Sequence, residues 1–142
     1  LLNHTHQMLH MLQGLYPCLP YPIKAERCIL AILFHDYGKL FEYNTQGDTL
    51  PEMYLLGHIY IGAHKLQNEL EKRGIDAEET KRIVHCILSH HGMREYGSPV
   101  LPCIQEASIV SYLDNISAKT DTIDGAGEME YVNALGTHVI KG

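Results

Sequence analysis

An all-α bundle of five or more helices is the fold this sequence predicts. Three observations carry it. Apolar residues recur at helical spacing, alternating strand-like runs are scarce, and proline, glycine and capping residues cut the chain into helix-length pieces. The 142 residues suit one domain with a real core.

The first helix is expected from about Leu2 to Leu15, ending before Pro17, Pro20 and Pro22. A second starts near Ile23 and runs through Leu33 and Phe34 into His35-Asp36, followed by Tyr37-Gly38-Lys39. The polar stretch Asn44 to Asp48 reads as a loop. A third helix covers about Met53 to Arg73, with Lys72 and Arg73 at its negative end and Gly74 as stop. The fourth has the clearest start: Asp76 as N-cap with Glu79 three residues later, a capping-box spacing. It runs through Ile83, Ile87 and Leu88 to His90, His91 and Gly92. The loop Gly97 to Pro102 leads into a fifth helix, about Ile104 to Lys119. Residues 125–142 form a tail or short appended element, in which Tyr131 to Ile140 is a short strand or a frayed helix.

With 17 acidic and 11 basic residues, the formal charge of −6 argues against a broad basic surface gripping a nucleic-acid backbone. Bound cations would change the sign of the local field. No apolar stretch approaches the roughly 20 residues that span a bilayer, and no signal peptide is visible. The start at Leu1, inside a helical pattern, reads as a fragment of a longer chain. Cys18, Cys28, Cys86 and Cys103 form no CxxC and read as buried free thiols, so a reducing, cytoplasmic setting is expected.

Ten histidines against no tryptophan is the odd feature of the composition. His35 and Asp36 follow an apolar run, and a helix burying Leu33 and Phe34 carries both toward the core. Unpaired charge is costly there, and a divalent cation is an economical partner for both groups. His4, His58, His90, His91 and Asp114 also stand in apolar helical surroundings. A lone histidine on an apolar face is usually a hydrogen-bonded core residue. One such residue per helix, on five successive helices, is instead how bundles build metal sites. Imidazoles with two carboxylates suit first-row divalent ions; the set is too nitrogen-rich for magnesium alone and lacks the thiolates of structural zinc.

The order His4, His35-Asp36, Asp114 resembles the signature of the HD-domain metal-dependent phosphohydrolases. His58 and His90-His91 fit the extra ligands of the family's dinuclear members. Within the family, the chain is most similar to the HD domain of YhaM-type 3′–5′ exoribonucleases. Leu2-Asn3-His4-Thr5, His35 to Lys39, Leu56 to Ile59 and Ile87 to Gly92 carry that likeness, with Glu95 to Pro99, Glu106-Ala107 and Leu113 to Asn115. The likeness covers residues 1–121, and residues 1–124 are expected to be the HD domain. That branch carries an OB-type domain ahead of the HD domain; none is visible here, so a flanking one in a longer chain is expected.

The resemblance implies that His4, His35, Asp36 and Asp114 hold one ion, with Asp36 bridging to a second on His58, His90 and His91. The ions would be Mn, Fe, Co or Ni, with Mg or Zn as outside choices. Asp36 and Lys39 are the catalytic residues implied, Lys39 neutralising charge on a phosphate oxygen. Ser98 is expected at the substrate cleft, donating to phosphate. For His91 the alternative is that only His90 binds, because adjacent helix positions point about 100° apart. His4 is preferred to His6 for its Leu-Asn-His-Thr context. His64 is expected to be exposed; His85 and His138 are expected to be uninvolved.

The function expected is hydrolysis of phosphodiester bonds in single-stranded nucleic acid from the 3′ end. A second reading keeps the chemistry but acts on small nucleotides or cyclic dinucleotides, although the Gly-Tyr-Pro segment of the cyclic-di-GMP-cleaving relatives does not follow His91. A third is a non-enzymatic helical interaction domain. A homo-oligomer is compatible with all three.

Overall fold

The computed structural model describes residues 1–141. It contains six α-helices, α1 (Leu2–Leu15), α2 (Ala25–Phe34), α3 (Pro51–Leu55), α4 (Gly57–Lys72), α5 (Ala77–Leu88) and α6 (Gln105–Gly125). Short 3₁₀ segments occupy Tyr16–Cys18, Tyr37–Phe41 and Arg94–Tyr96. A small antiparallel hairpin closes the chain, β1 (Tyr131–Val132) with β2 (Thr137–His138), pairing Tyr131 with His138 and Val132 with Thr137. The all-α prediction stands, and the tail forms short strands.

Helix α2 is the central element, packed by α1, α4, α5 and α6. Met8 and Leu12 from α1, Cys28, Ala31 and Ile32 from α2, Leu66 and Leu70 from α4, Ile83 and Ile87 from α5, and Val110 and Leu113 from α6 meet in one core. Each fully buried side chain of this size contributes roughly 1.5–3 kcal/mol. Leu33 does not join them. It is 46 % exposed, and Phe34 is only half-buried, so Cys28, Ala31 and Ile32 are what carry the chain end of α2 into the core.

The long helix expected over Met53 to Arg73 is broken. Helix α3 stops at Leu55, and Gly57 takes a φ of +73° that starts α4 in a new direction. Helix α6 runs six residues past Lys119, to Gly125. There the hydroxyls of Thr120 and Thr122 donate to the carbonyls of Ile116 (2.8 Å) and Ala118 (2.7 Å), so these polar side chains are satisfied inside the helix. Asp76 caps α5 as expected, accepting from the backbone N–H groups of Glu78 (3.0 Å) and Glu79 (3.1 Å). The Glu79 side chain does not complete a capping box, because it is engaged by Arg27. All four cysteines are free; Cys28 and Cys86 are buried, their thiols pushed up to about 12 chiefly by burial. Cys18 and Cys103 are exposed, contrary to expectation, because the turns that carry them lie outside the packed helices.

Arg27 fastens three helices. Its Nε and Nη2 donate to the two oxygens of Glu79 on α5 (2.7 and 2.6 Å), and Nη1 donates to Glu106 on α6 (3.2 Å). The Arg27 hydrogen bonds hold Glu79 down at about 2, against an ordinary 4.5. The stability this adds is present above pH 4.5 and is lost as pH falls toward 2. Arg27→Met leaves the buried Glu106 carboxylate without its cation and is expected to cost about 3 kcal/mol in urea denaturation at neutral pH. A cost below about 1 kcal/mol would show that the pair is not holding the helices together.

Candidate metal centre

The centre is assembled at helix ends. His35 follows α2 and His90 lies just past α5, where terminal carbonyls lack helical partners. His35 Nδ1 donates to the Ile32 carbonyl (2.8 Å), and His90 Nδ1 to that of Ile87 (2.7 Å). A carbonyl only accepts, so both rings carry the proton on Nδ1 and present the Nε2 lone pair. His91 Nδ1 likewise donates to the Tyr96 carbonyl (2.5 Å). His90 and His91 lie beyond the last helical residue, so the 100° separation of helix neighbours does not hold them apart; their ring centroids are 4.2 Å apart.

His58 reaches the same place from the first turn of α4. Its backbone N–H donates to Glu42 (2.6 Å), whose buried carboxylate also lies 3.4 Å from His58 Nδ1. The chain turns at Gly57 to allow this, and the 3₁₀ segment approaches without a side chain. A Cβ on Gly38 would lie 2.1 Å from the His58 carbonyl oxygen. Glycine is thus required there by close approach of two backbones.

On the other side, His4 Nε2 lies 2.9 Å from the Asp114 carboxylate and His4 Nδ1 lies 2.8 Å from Ser117 Oγ. The Ser117 hydroxyl donates to Gln7 Oε1 (2.6 Å), so Ser117 accepts from His4 Nδ1. A neutral His4 then turns a bare lone pair toward a carboxylate. Only a cation between them, a proton or a metal, makes that contact favourable.

Two triads result. In each, His4-His35-Asp114 and His58-His90-His91, the three potential ligand atoms lie within 4.8 Å of one another. Asp36 stands between them, Oδ2 at 3.5 Å from His35 Nε2 and Oδ1 at 3.7 Å from His58 Nε2. Lys39 Nζ donates to Asp36 Oδ2 at 2.7 Å from the solvent side.

The protonation states suit metal binding. Burial drives the Asp36 carboxyl up, but the contacts from His35 and Lys39 outweigh it and hold the group well below the carboxylate range. Burial likewise opposes ionisation of Asp114, and His4, His90 and His35 together bring it below its ordinary value. Burial lowers His58 and pushes His90 down to about 3, leaving that ring neutral. The Nε2 atoms of His35, His58 and His90 are buried with no hydrogen-bond partner among the described residues. Such orphaned nitrogens are costly in a polar core. Aimed at ionised carboxylates with the opposite nitrogens fixed, they fit a divalent cation.

His4, His35, Asp36, His58, His90, His91, Asp114 and Lys39 are thus brought together. Ser98 is not. It is buried with an unpartnered hydroxyl and does not line the cleft, whereas Tyr96 of the same loop does. His6 pairs with His10 on the exposed face of α1, His64 is exposed against Tyr60, and His85 lies beside Cys103. Sequence reading missed Glu42, Ser117 and Gln7. Ser117 and Gln7 each follow a site residue by three positions, the spacing of one helix face, which was the available signal. An open cleft of about 730 Å³ exposes His4, Asp36, Lys39, His91 and Asp114, and continues along α6 to the hairpin tip at Ala134 and Leu135.

The HD domain family profile matches residues 1–119. The 3′–5′ exoribonuclease YhaM of Bacillus pumilus (strain SAFR-032) is 36 % identical over 127 residues, covering 88 % of this chain and 40 % of that protein. The same enzyme of Bacillus subtilis (strain 168) matches at 36 %, over the same shares. That of Geobacillus sp. (strain WCH70) matches at 35 %, covering 88 % and 39 %. The chain therefore spans about 40 % of the length of the curated relatives it matches. No solved structure matches. No helix among the described residues is long and apolar enough to cross a membrane. With His35 in one histidine-rich triad and Asp36 standing between the two, this chain belongs to the HD domain family.

Proposed function

We propose that the chain hydrolyses phosphodiester bonds of single-stranded nucleic acid from the 3′ end, using two divalent ions. The observation that carries this reading is the placement of Asp36, whose two oxygens face different triads. In it, His4, His35 and Asp114 hold one ion, His58, His90 and His91 hold the other, and Asp36 joins them. When bound, such a pair lowers the pKa of a water and neutralises charge on the phosphorus-bound oxygens. The nitrogen-rich donor set favours Mn, Fe, Co or Ni.

The chain's own residues position and neutralise. The carbonyls of Ile32, Ile87 and Tyr96 fix the imidazoles of His35, His90 and His91, Glu42 orients His58, and Ser117 orients His4. Lys39 is 42 % exposed at the cleft edge, so its ammonium can turn from Asp36 to a phosphate oxygen as charge accumulates there. Support for a nucleic-acid substrate comes from the YhaM relatives named above. Their greater length leaves room for the flanking OB-type domain that an acidic chain would use to hold RNA.

A second reading, hydrolysis of small nucleotides, is favoured by the net charge of −6 and by a cleft of about 730 Å³. The test uses the chain stripped with EDTA and reloaded with Mn²⁺. It is incubated with 5′-labelled single-stranded RNA and DNA beside nucleoside mono- and triphosphates. Stepwise shortening from the 3′ end, present only after reloading, is the expected result. Intact oligonucleotides with hydrolysed mononucleotides would replace the first reading by the second, and no hydrolysis of any substrate would overturn both.

A further inference from the structure

The cleft extends well past the two triads, and its far part contains residues that the metal centre does not use. Helix α6 forms its floor, presenting Asn115 next to Asp114, and Ala118 and Lys119 a turn or more beyond it. Lys119 lies five residues on from Asp114, about 7.5 Å of helix rise, a separation on the scale of one nucleotide step. Among the described residues no carboxylate lies within 4.0 Å of its ammonium, whereas Lys24, Lys39, Lys72 and Lys81 all have such a partner. In a chain with six more acidic than basic residues, two lysines, Lys39 and Lys119, line the same cleft. The neighbouring Asp121 is engaged by Gln7 Nε2 at 3.0 Å.

Tyr96 also lines the cleft. The residue is 65 % exposed, while its carbonyl is held by His91. An aromatic side chain kept in solvent on a backbone tied to the site offers a flat face to a base. The hairpin tip, Ala134 and Leu135, supplies an apolar boundary at the far end.

We propose that this part of the cleft is a second nucleotide subsite, in which Lys119 holds the phosphate next to the scissile one and Tyr96 stacks a base. The proposal rests on the phosphodiesterase reading above. It deepens that reading by making the preferred substrate a dinucleotide or longer single strand.

The test measures binding and turnover separately in the intact chain. A fluorescent phosphorothioate hexanucleotide, resistant to cleavage, gives Kd by anisotropy at several salt concentrations. A natural hexanucleotide and bis(p-nitrophenyl) phosphate give kcat/KM. Both side chains are exposed, so truncation removes no core contact. Lys119→Ala is expected to weaken Kd about tenfold and to reduce the slope of log Kd against log salt by about 0.7, the share of one phosphate contact on a single strand. Lys119→Arg should restore both. Tyr96→Ala should weaken Kd about tenfold with the slope retained. In both alanine variants the kcat/KM ratio of hexanucleotide to small ester should fall about tenfold. Lys81→Ala, on the exposed face of α5, is the control. A Kd and slope within twofold of the parent, or equal losses on both substrates, would overturn the subsite, as would failure of the parent to bind the hexanucleotide. Binding with these variant effects, but no hydrolysis of either substrate, would overturn the phosphodiesterase reading and leave the subsite standing.

Discussion

Asp36→Asn is expected to abolish turnover while the fold persists. Asparagine keeps the shape of the side chain but cannot supply a negative charge to either triad. In the role proposed for Asp36, one carboxylate serves both ions, so its loss should exceed the 10–100-fold cost typical of removing an outer partner of a metal ligand. A reduction in kcat of about a thousandfold or more is expected, with bound metal falling below two ions per chain. The fold responds less. Asparagine gives up the contacts from His35 and Lys39 that hold the Asp36 carboxylate ionised, but also the desolvation cost that opposes them, and Lys39 stands partly in solvent and can rehydrate. Urea denaturation of the metal-free proteins should therefore show a loss of about 1–3 kcal/mol with a cooperative transition retained. Retained activity with both ions bound would remove Asp36 from the centre of the mechanism. Collapse of the metal-free variant would show that the carboxylate is structural.

Gly38→Ala should fail in the opposite manner, through the fold first. The added methyl would meet the His58 carbonyl oxygen, Cα and carbonyl carbon at 2.1, 2.6 and 2.7 Å, contacts that only a shift of backbone can relieve. Gly62, on the same helix, limits where α4 can go, because a Cβ there would sit 2.9 Å from the Phe34 carbonyl oxygen. The two glycines fix the spacing between the 3₁₀ segment and α4, and overpacking of this kind costs about 1–3 kcal/mol or more. His58 lies at the contact, so its Nε2 must move with it. We expect about 3 kcal/mol of destabilisation in urea, together with loss of one metal equivalent by elemental analysis. Stability and metal content equal to the parent would show that the segment has slack which the contacts do not suggest.

The helices and their starting points were legible because caps and prolines act locally: Asp76 needs only the N–H groups two and three residues on. The candidate site was legible for a related reason. His4, His58, Asp114 and the His35-Asp36 pair stand in apolar surroundings, where a polar side chain must have a partner. Features set by distant contacts were hidden. Glu42 matters because a backbone 16 positions away reaches it, and Ser117 because a helix 113 positions away does. The division between α3 and α4 was masked by the apolar run Met53 to Leu56, which reads as a continuing helix until Gly57 adopts positive φ. Leu33 was misplaced because apolar character alone does not say which side of α2 faces the core. Ser98 is expected at the cleft only through the family resemblance, yet it is Tyr96 that reaches it.

The hairpin at the end of the chain changes how the domain can diversify. Residues matched to the family stop at Lys119, but the far wall of the cleft is made by Ala134 and Leu135. The metal centre and the far wall of the cleft are therefore written in separate stretches of polypeptide. The first is constrained by helix ends that cannot move without losing the imidazoles. The second is the loop of a two-residue-strand ribbon, free to lengthen, shorten or change character at little cost to the bundle beneath it. A lineage could retune what enters the cleft by editing that loop alone, leaving the ancestral chemistry untouched.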